Sequence, residues 1–254
     1  MTRIVVFDSG LGSLSIIKAI QKICKSDIIY FADQKNYPYG TKTKKQLDQI
    51  VKKSIELLER KFTPEIIVIG SNTPSIILDI FDKKIIGVTP PIREAVKKTR
   101  TNHIAILATK TVVNSKNLSN FIKNYNIIKK IKIHKINASN LVDLVESGKF
   151  IEDKTYCKKL INNSLKEKFL KNNIDTVTLS STHLSFLKSI LQSEFPDVLF
   201  IDPAEDIAKK VFKKITMKQN KKNSLRIFSS DKTKRFQKIL INMNIKNKIK
   251  YLSI

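Results

Sequence analysis

Short β-branched runs alternate along the chain with segments whose apolar residues recur every three or four positions. Residues 4–7, 28–31, 66–69, 85–88, 104–107, 131–136, 176–179, 199–201 and 225–228 have the length and residue types of strands. Between them, residues 14–23, 44–61, 92–99, 118–125, 154–170 and 207–214 carry helical spacing. Nearly continuous apolar strands are those buried on both faces, and strand–helix alternation favours parallel pairing. The pattern therefore predicts an α/β protein with mainly parallel sheets, and 254 residues suffice for two compact domains. Ligands of such sheets bind beyond the carboxyl ends of the strands, so the residues just after each strand matter most.

Two of those strand ends echo one another. Strand 66–69 runs into Gly70-Ser71-Asn72-Thr73, strand 176–179 into Ser180-Ser181-Thr182-His183, and each then enters a helix. Small polar residues commonly follow strands, so the echo alone is equally open to chance.

Composition narrows the class. Hydrophobic residues make up 41% and charged residues 28%, and no apolar run approaches the roughly 18 residues of a membrane span. Met1-Thr2-Arg3 leads straight into the first strand without the apolar core of a secretory signal. The two cysteines, Cys24 and Cys157, lack metal-ligand spacing and suit a reducing, cytoplasmic setting. The net charge of +26 draws the protein to nucleic acid non-specifically, because the lysines are spread over nearly every amphipathic segment. The densest basic stretch, 213–222, lacks interleaved aromatics and reads as a solvated helix end and loop.

The first strand ends in Asp8-Ser9-Gly10-Leu11-Gly12-Ser13, a tight turn into a helix start where an anion can sit. A dinucleotide fingerprint fails here. Ser15 stands at its third glycine, and Asp8 would repel a pyrophosphate, although Asp33 falls where a ribose-binding acid lies.

FDSGLGSLS (7–15), YFADQKNYPYGTK (30–42), SNTPS (71–75), LVDLVESG (141–148) and STH (181–183) together resemble, in order, the signature segments of glutamate racemases. The resemblance spans essentially the whole chain. It implies two similar α/β domains related by a pseudo-two-fold axis, with the active site in the interdomain cleft, and a homodimer that needs no cofactor or metal. The division it suggests is 1–97 with 208–254, and 98–207. The implied substrate is an acidic amino acid, glutamate or possibly aspartate, and the implied product D-glutamate, a peptidoglycan precursor.

Carried over residue by residue, the resemblance places Asp8 and Ser9 at the substrate amino group and the first base, with Pro38, Tyr39 and Gly40 bordering the substrate. Asn72, Thr73, Thr111 and Thr182 would hold its carboxylates and amine, while Glu146 and His183 would serve the second base. Without the resemblance, Asp8 equally suits a helix cap, Thr111 a turn, and Glu146 a solvated surface.

The departure lies at the two bases. Racemisation requires one group to remove the α-proton and another to deliver a proton to the opposite face, and the family uses two thiols. Here Ser71 and Ser181 stand at both positions. A thiol ionises near 8.5 and an alkanol nearer water's roughly 15.7, a gap on the order of 10 kcal/mol. Three accounts fit: an engineered pair of Cys-to-Ser changes, a natural homologue that binds acidic amino acids without turning them over, or a weak racemase using other groups. A hydrolase built on Ser181, His183 and Glu146 lacks a GxSxG elbow to support it.

Overall fold

The computed structural model describes residues 2–80, 82–124, 130–231 and 234–254. Met1 and Tyr125, the last residue of the helix expected at 118–125, lie outside these. The strands are β1 (Arg3–Asp8), β2 (Asp27–Ala32), β3 (Ile66–Ile69), β4 (Ile85–Gly87), β5 (His103–Ala108), β6 (Lys132–Asn137), β7 (Thr176–Leu179), β8 (Leu199–Ile201), β9 (Ser224–Ser229) and β10 (Ile249–Tyr251). The helices are α1 (Ser13–Ile23), α2 (Lys44–Phe62), α3 (Asn72–Leu78), α4 (Ile92–Lys98), α5 (Lys110–Val113), α6 (Lys116–Lys123), α7 (Ser139–Glu146), α8 (Lys149–Glu152), α9 (Lys154–Lys171), α10 (Lys188–Glu194), α11 (Ala204–Lys214) and α12 (Lys234–Asn242).

Two compact units divide the chain: Met1–Val88 with Ala204–Ile254, and Thr89–Pro203. The first holds a six-stranded sheet in the order β10-β9-β2-β1-β3-β4, with every pair parallel. Val5, Phe7, Ile29, Phe31, Ile67 and Ile69 point to one face, where they meet Leu47, Val51, Ile55, Leu58 and Phe62 of α2. Those five positions form one stripe at helical spacing, and burying them contributes roughly 10 kcal/mol before chain entropy is counted. The helix starts where it does because the Thr43 side chain and Gln46 form a reciprocal capping box, and it ends at Thr63 in a left-handed conformation, φ 46°. The alternate residues Ile4 and Val6 point the other way, and α1 packs against α11.

Asp27 ties three strands together at the amino edge of this sheet. It accepts from Arg3 Nε at 2.9 Å, Arg226 Nη2 at 2.6 Å and Ser224 Oγ at 2.7 Å. Burial pushes its carboxyl up, but the hydrogen bonds from Ser224, Arg226 and Arg3 together outweigh burial and hold it below the ordinary carboxylate range. A depressed carboxylate contributes stability above its unfolded pKa of about 3.9, and that stability is lost as pH falls through the folded value. Denaturant unfolding of Asp27→Asn should therefore show a deficit at pH 7 that shrinks below about pH 4. A deficit constant from pH 7 to pH 3 would show that charge plays no part.

The second unit repeats the core of the first. Its sheet runs β6-β5-β7-β8, all parallel, matching β2-β1-β3-β4 strand for strand. Ile104 pairs with Thr176 as Ile4 pairs with Ile66. The echo between two strand ends is thus part of a repeated topology. Asp175 fastens the entry to this sheet, accepting from Thr99 Oγ1 at 2.7 Å and the Arg100 and Thr101 amides at 2.6 and 2.9 Å. Helix α4 packs on β7 and belongs with this unit.

Candidate active site

At the carboxyl edge of the first sheet, Phe7 pairs with Ile69, and the Gly70 amide donates to Phe7 O at 2.8 Å. That register sets Asp8 beside Gly70, one residue ahead of Ser71. Asp8 is fully buried, and its Oδ1 accepts from the Ser9 amide at 2.6 Å. The next layer is built on Asp33, also fully buried, just after β2. Its carboxylate accepts from Tyr39 Oη at 3.0 Å, Ser230 Oγ at 2.7 Å, and Asn36 Nδ2 at 3.0 and 2.8 Å. Burial first, then the negative charges of Asp33 and Asp8, raise the Tyr39 phenol well above its usual range. Tyr39 therefore stays a donor, and residues 34–41, with partly exposed Pro38 and Gly40 on either side of it, are anchored to the end of β9.

Ser71 follows β3 with φ −128° and ψ 131°, at the position that opens α3, yet its side chain does not cap that helix. Next to it, buried Asn72 donates Nδ2 to Val88 O at 3.2 Å, while its Oδ1 has no partner among the described residues. Thr73 is buried alongside. A Cβ at Gly70 would lie 1.9 Å from Ser13 Oγ, so the close approach of the β1 turn to the β3 turn requires glycine there. Ser13 is fully buried and donates to Gly70 O at 3.3 Å.

In the second unit Ser181 repeats the geometry of Ser71. It follows β7 with φ −141° and ψ 128°, opens the 3₁₀ segment Thr182–Leu187, and caps nothing. The Ser180 amide donates to Leu107 O at 2.8 Å, as Gly70 does to Phe7. The β5 residue matching Asp8 is Ala108, so this half has no acid at that point. Its carboxylate comes from the end of α7 instead: Glu146 Oε1 lies 2.5 Å from His183 Nε2, in a pair whose side chains are 12% and 7% exposed. Thr182 is buried between Ser181 and that histidine, and half-buried Thr111 sits on α5 just past β5. The solvated reading of Glu146 is set aside by this pairing.

Both cysteines are buried away from these strand ends. Burial raises each thiol, for Cys24 at the end of α1 and Cys157 within α9. Among the described residues no group of three His, Cys, Asp or Glu could hold a metal ion, and no helix is long and apolar enough to cross a membrane. Sequence reasoning missed Ser230 and Asn36. Ser230 was detectable only as another residue just past a strand.

The class defined by this fold and site is one of two parallel α/β units of common strand order, each following one core strand with a serine that caps nothing. The chain matches no protein-family model. It is 32% identical over 227 residues to a glutamate racemase of Buchnera aphidicola from Schizaphis graminum, covering 87% of this chain and 88% of the relative. It is 30% identical over 240 residues to one from Clostridium botulinum, covering 89% and 90%. The chain belongs to the glutamate racemase family. Solved structures share the fold: a Bacillus anthracis glutamate racemase isoform has a TM-score of 0.84 at 24% identity, covering 100% of this chain and 97% of that one. The Escherichia coli glutamate racemase, solved with L-glutamate and an activator, has a TM-score of 0.82 at 21% identity, covering 99% and 98%.

Proposed function

We propose that the chain binds glutamate and that Ser71 and Ser181 occupy its two proton-transfer positions, in a cofactor-independent site whose turnover is slow because both groups are hydroxyls. The observation that carries this reading is the matched pair of strand-end serines, each in the same extended conformation and each withheld from capping. Relatives that bind glutamate support the ligand: the Escherichia coli structure contains L-glutamate, and one from Francisella tularensis contains D-glutamate.

Each unit supplies one proton-transfer position and a base beside it. Asp8 serves Ser71 from the neighbouring strand end, and the Glu146–His183 pair serves Ser181 from two residues away. The carboxylate of Glu146 orients the imidazole and stabilises its protonated form, as a base-orienting group does in other hydroxyl-activating sites. The free Oδ1 of Asn72 accepts from the substrate ammonium. Ser9 lies at the substrate amino group, Thr73, Thr111 and Thr182 supply hydroxyls for its carboxylates, and Pro38, Tyr39 and Gly40 border the substrate. Physiologically the protein acts as a cytoplasmic homodimer.

A second reading, a homologue that binds glutamate without any chemistry at the α-carbon, is favoured by the absence of thiols at both positions. Titration calorimetry with L- and D-glutamate should show binding of both, with aspartate weaker. Heavy-water exchange at the α-carbon then separates the two readings: exchange above the uncatalysed background supports a slow racemase, and background exchange with intact binding supports the pure binder. No binding of either enantiomer would contradict both.

A further inference from the structure

The first unit is charged unevenly. Residues 204–254 contain fifteen lysines and arginines against three acidic residues, out of 48 and 22 in the whole chain. The topology gathers much of this charge on one edge of the six-stranded sheet. Because every strand is parallel, the residues leading into the strands share its amino edge. Exposed lysines stand there before five of the six strands: Lys25 before β2, Lys61 before β3, Lys84 before β4, Lys222 before β9 and Lys248 before β10.

The backbone that carries Lys25 and the loop before β9 is held in place. The Asn220 amide donates to Lys25 O at 2.9 Å, the Lys25 amide to Gln219 Oε1 at 3.1 Å, and the Ser26 amide to Asn223 Oδ1 at 3.0 Å. Asn223 Nδ2 in turn donates to Gln21 O at 2.9 Å. The loop between α11 and β9 is thereby fastened across the end of α1, and Lys218, Lys221 and Lys222 stand beside Lys25 rather than on a free tail. The carboxylates at this edge are already engaged. Asp27 is paired with Arg3 and Arg226, Glu65 accepts from the Thr216 and Met217 amides, and Asp82 accepts from the Lys84 and Ile85 amides. Helix C-termini here add only about half a negative charge each.

We infer that the amino edge of the first sheet is a polyanion-binding surface whose partner is the phosphate backbone of a nucleic acid. Six strands about 4.8 Å apart span about 24 Å, the length of about seven base pairs. A row of lysines on that scale neutralises several phosphates in succession, and where the backbone beneath it is already fastened, less freedom is lost on binding. A membrane surface fits less well, because α1 and α11 bury the stripes that include Ile17, Ile20, Ile207 and Val211 and expose only single apolar residues, Ile23 and Phe212, with Met217 in the loop beyond, rather than a continuous apolar face. The opposite edge carries Asp8, Ser71 and the Asp33 network, so occupation of this surface leaves those residues uncovered. The assignment goes beyond attraction by net charge, since it makes some lysines matter and others not.

Fluorescence anisotropy on a 20-base-pair duplex, measured with the full chain from 50 to 200 mM salt, tests this. About five neutralised phosphates give an affinity loss on the order of 500-fold over that range. Lys218→Gln/Lys221→Gln/Lys222→Gln should flatten the salt slope by about one per lysine. Lys159→Gln/Lys166→Gln/Lys171→Gln, which removes equal charge from α9 in the other unit, should leave the slope unchanged. Circular dichroism and glutamate binding identify a misfolded variant, and single Lys→Gln substitutions then replace the triple. Equal effects from the two triples, a slope unaffected by the first, or tighter binding to phosphatidylserine vesicles than to the duplex would each overturn the assignment.

Discussion

Restoring thiols at both positions, in Ser71→Cys/Ser181→Cys, is expected to raise the rate of glutamate racemisation by at least ~10³-fold. The expectation follows from acidity. A serine hydroxyl must be deprotonated against a pKa roughly seven units above that of a thiol, and each unit costs 1.36 kcal/mol, so the full gap approaches 10 kcal/mol. In the proposed mechanism Asp8 and the Glu146–His183 pair recover part of this by accepting the hydroxyl proton during transfer, which is why the predicted gain is smaller than the full gap. Cysteine and serine are nearly the same shape, and both positions are extended strand-end residues whose side chains cap nothing. The substitution therefore changes chemistry with little strain. A polarimetric or coupled assay reads the outcome, and a double variant no faster than the parent would mean that the surrounding groups have been remodelled for another purpose.

Removing the Asp33 carboxylate should have the largest effect on the scaffold. Four hydrogen bonds from Tyr39, Ser230 and Asn36 converge on it in the interior. Asp33→Ala leaves those donors buried without an acceptor, at about 1–3 kcal/mol for each group that water cannot reach. A total near 3 kcal/mol is expected, a large share of the roughly 5–15 kcal/mol that holds an ordinary domain together. Because the same bonds anchor residues 34–41 to the end of β9, glutamate binding should weaken as well. Urea unfolding and calorimetry test the two halves separately. Lost stability with unchanged glutamate affinity would remove Pro38, Tyr39 and Gly40 from the substrate's border.

The legibility of this fold varied with the kind of interaction involved. Strands such as β1 and β3 are continuous apolar runs, and α2 presents a single stripe, so local pattern and tertiary burial agree. The edge strand β10 escaped because it is three residues long and exposes Lys250 and Tyr251, leaving no burial pattern to read. The helix expected after Ser181 begins as a 3₁₀ segment, a distinction that apolar spacing over so few residues does not carry. The Glu146–His183 pair was visible only through resemblance, since 37 residues separate the partners. The bond between Ser230 and Asp33 spans 197 residues, Ser230 lies in none of the signature segments, and only the folded sheet brings β9 beside β2.

The central claim is that Ser71 and Ser181 mark two proton-transfer positions serving opposite faces of one α-carbon. Deuterium incorporation from heavy water into L- and D-glutamate, followed by proton NMR in Ser71→Cys and Ser181→Cys taken singly, tests it most directly. The account predicts that each variant accelerates α-proton exchange of one enantiomer, and that the two variants favour opposite enantiomers. Acceleration of the same enantiomer by both, or of neither, would contradict it.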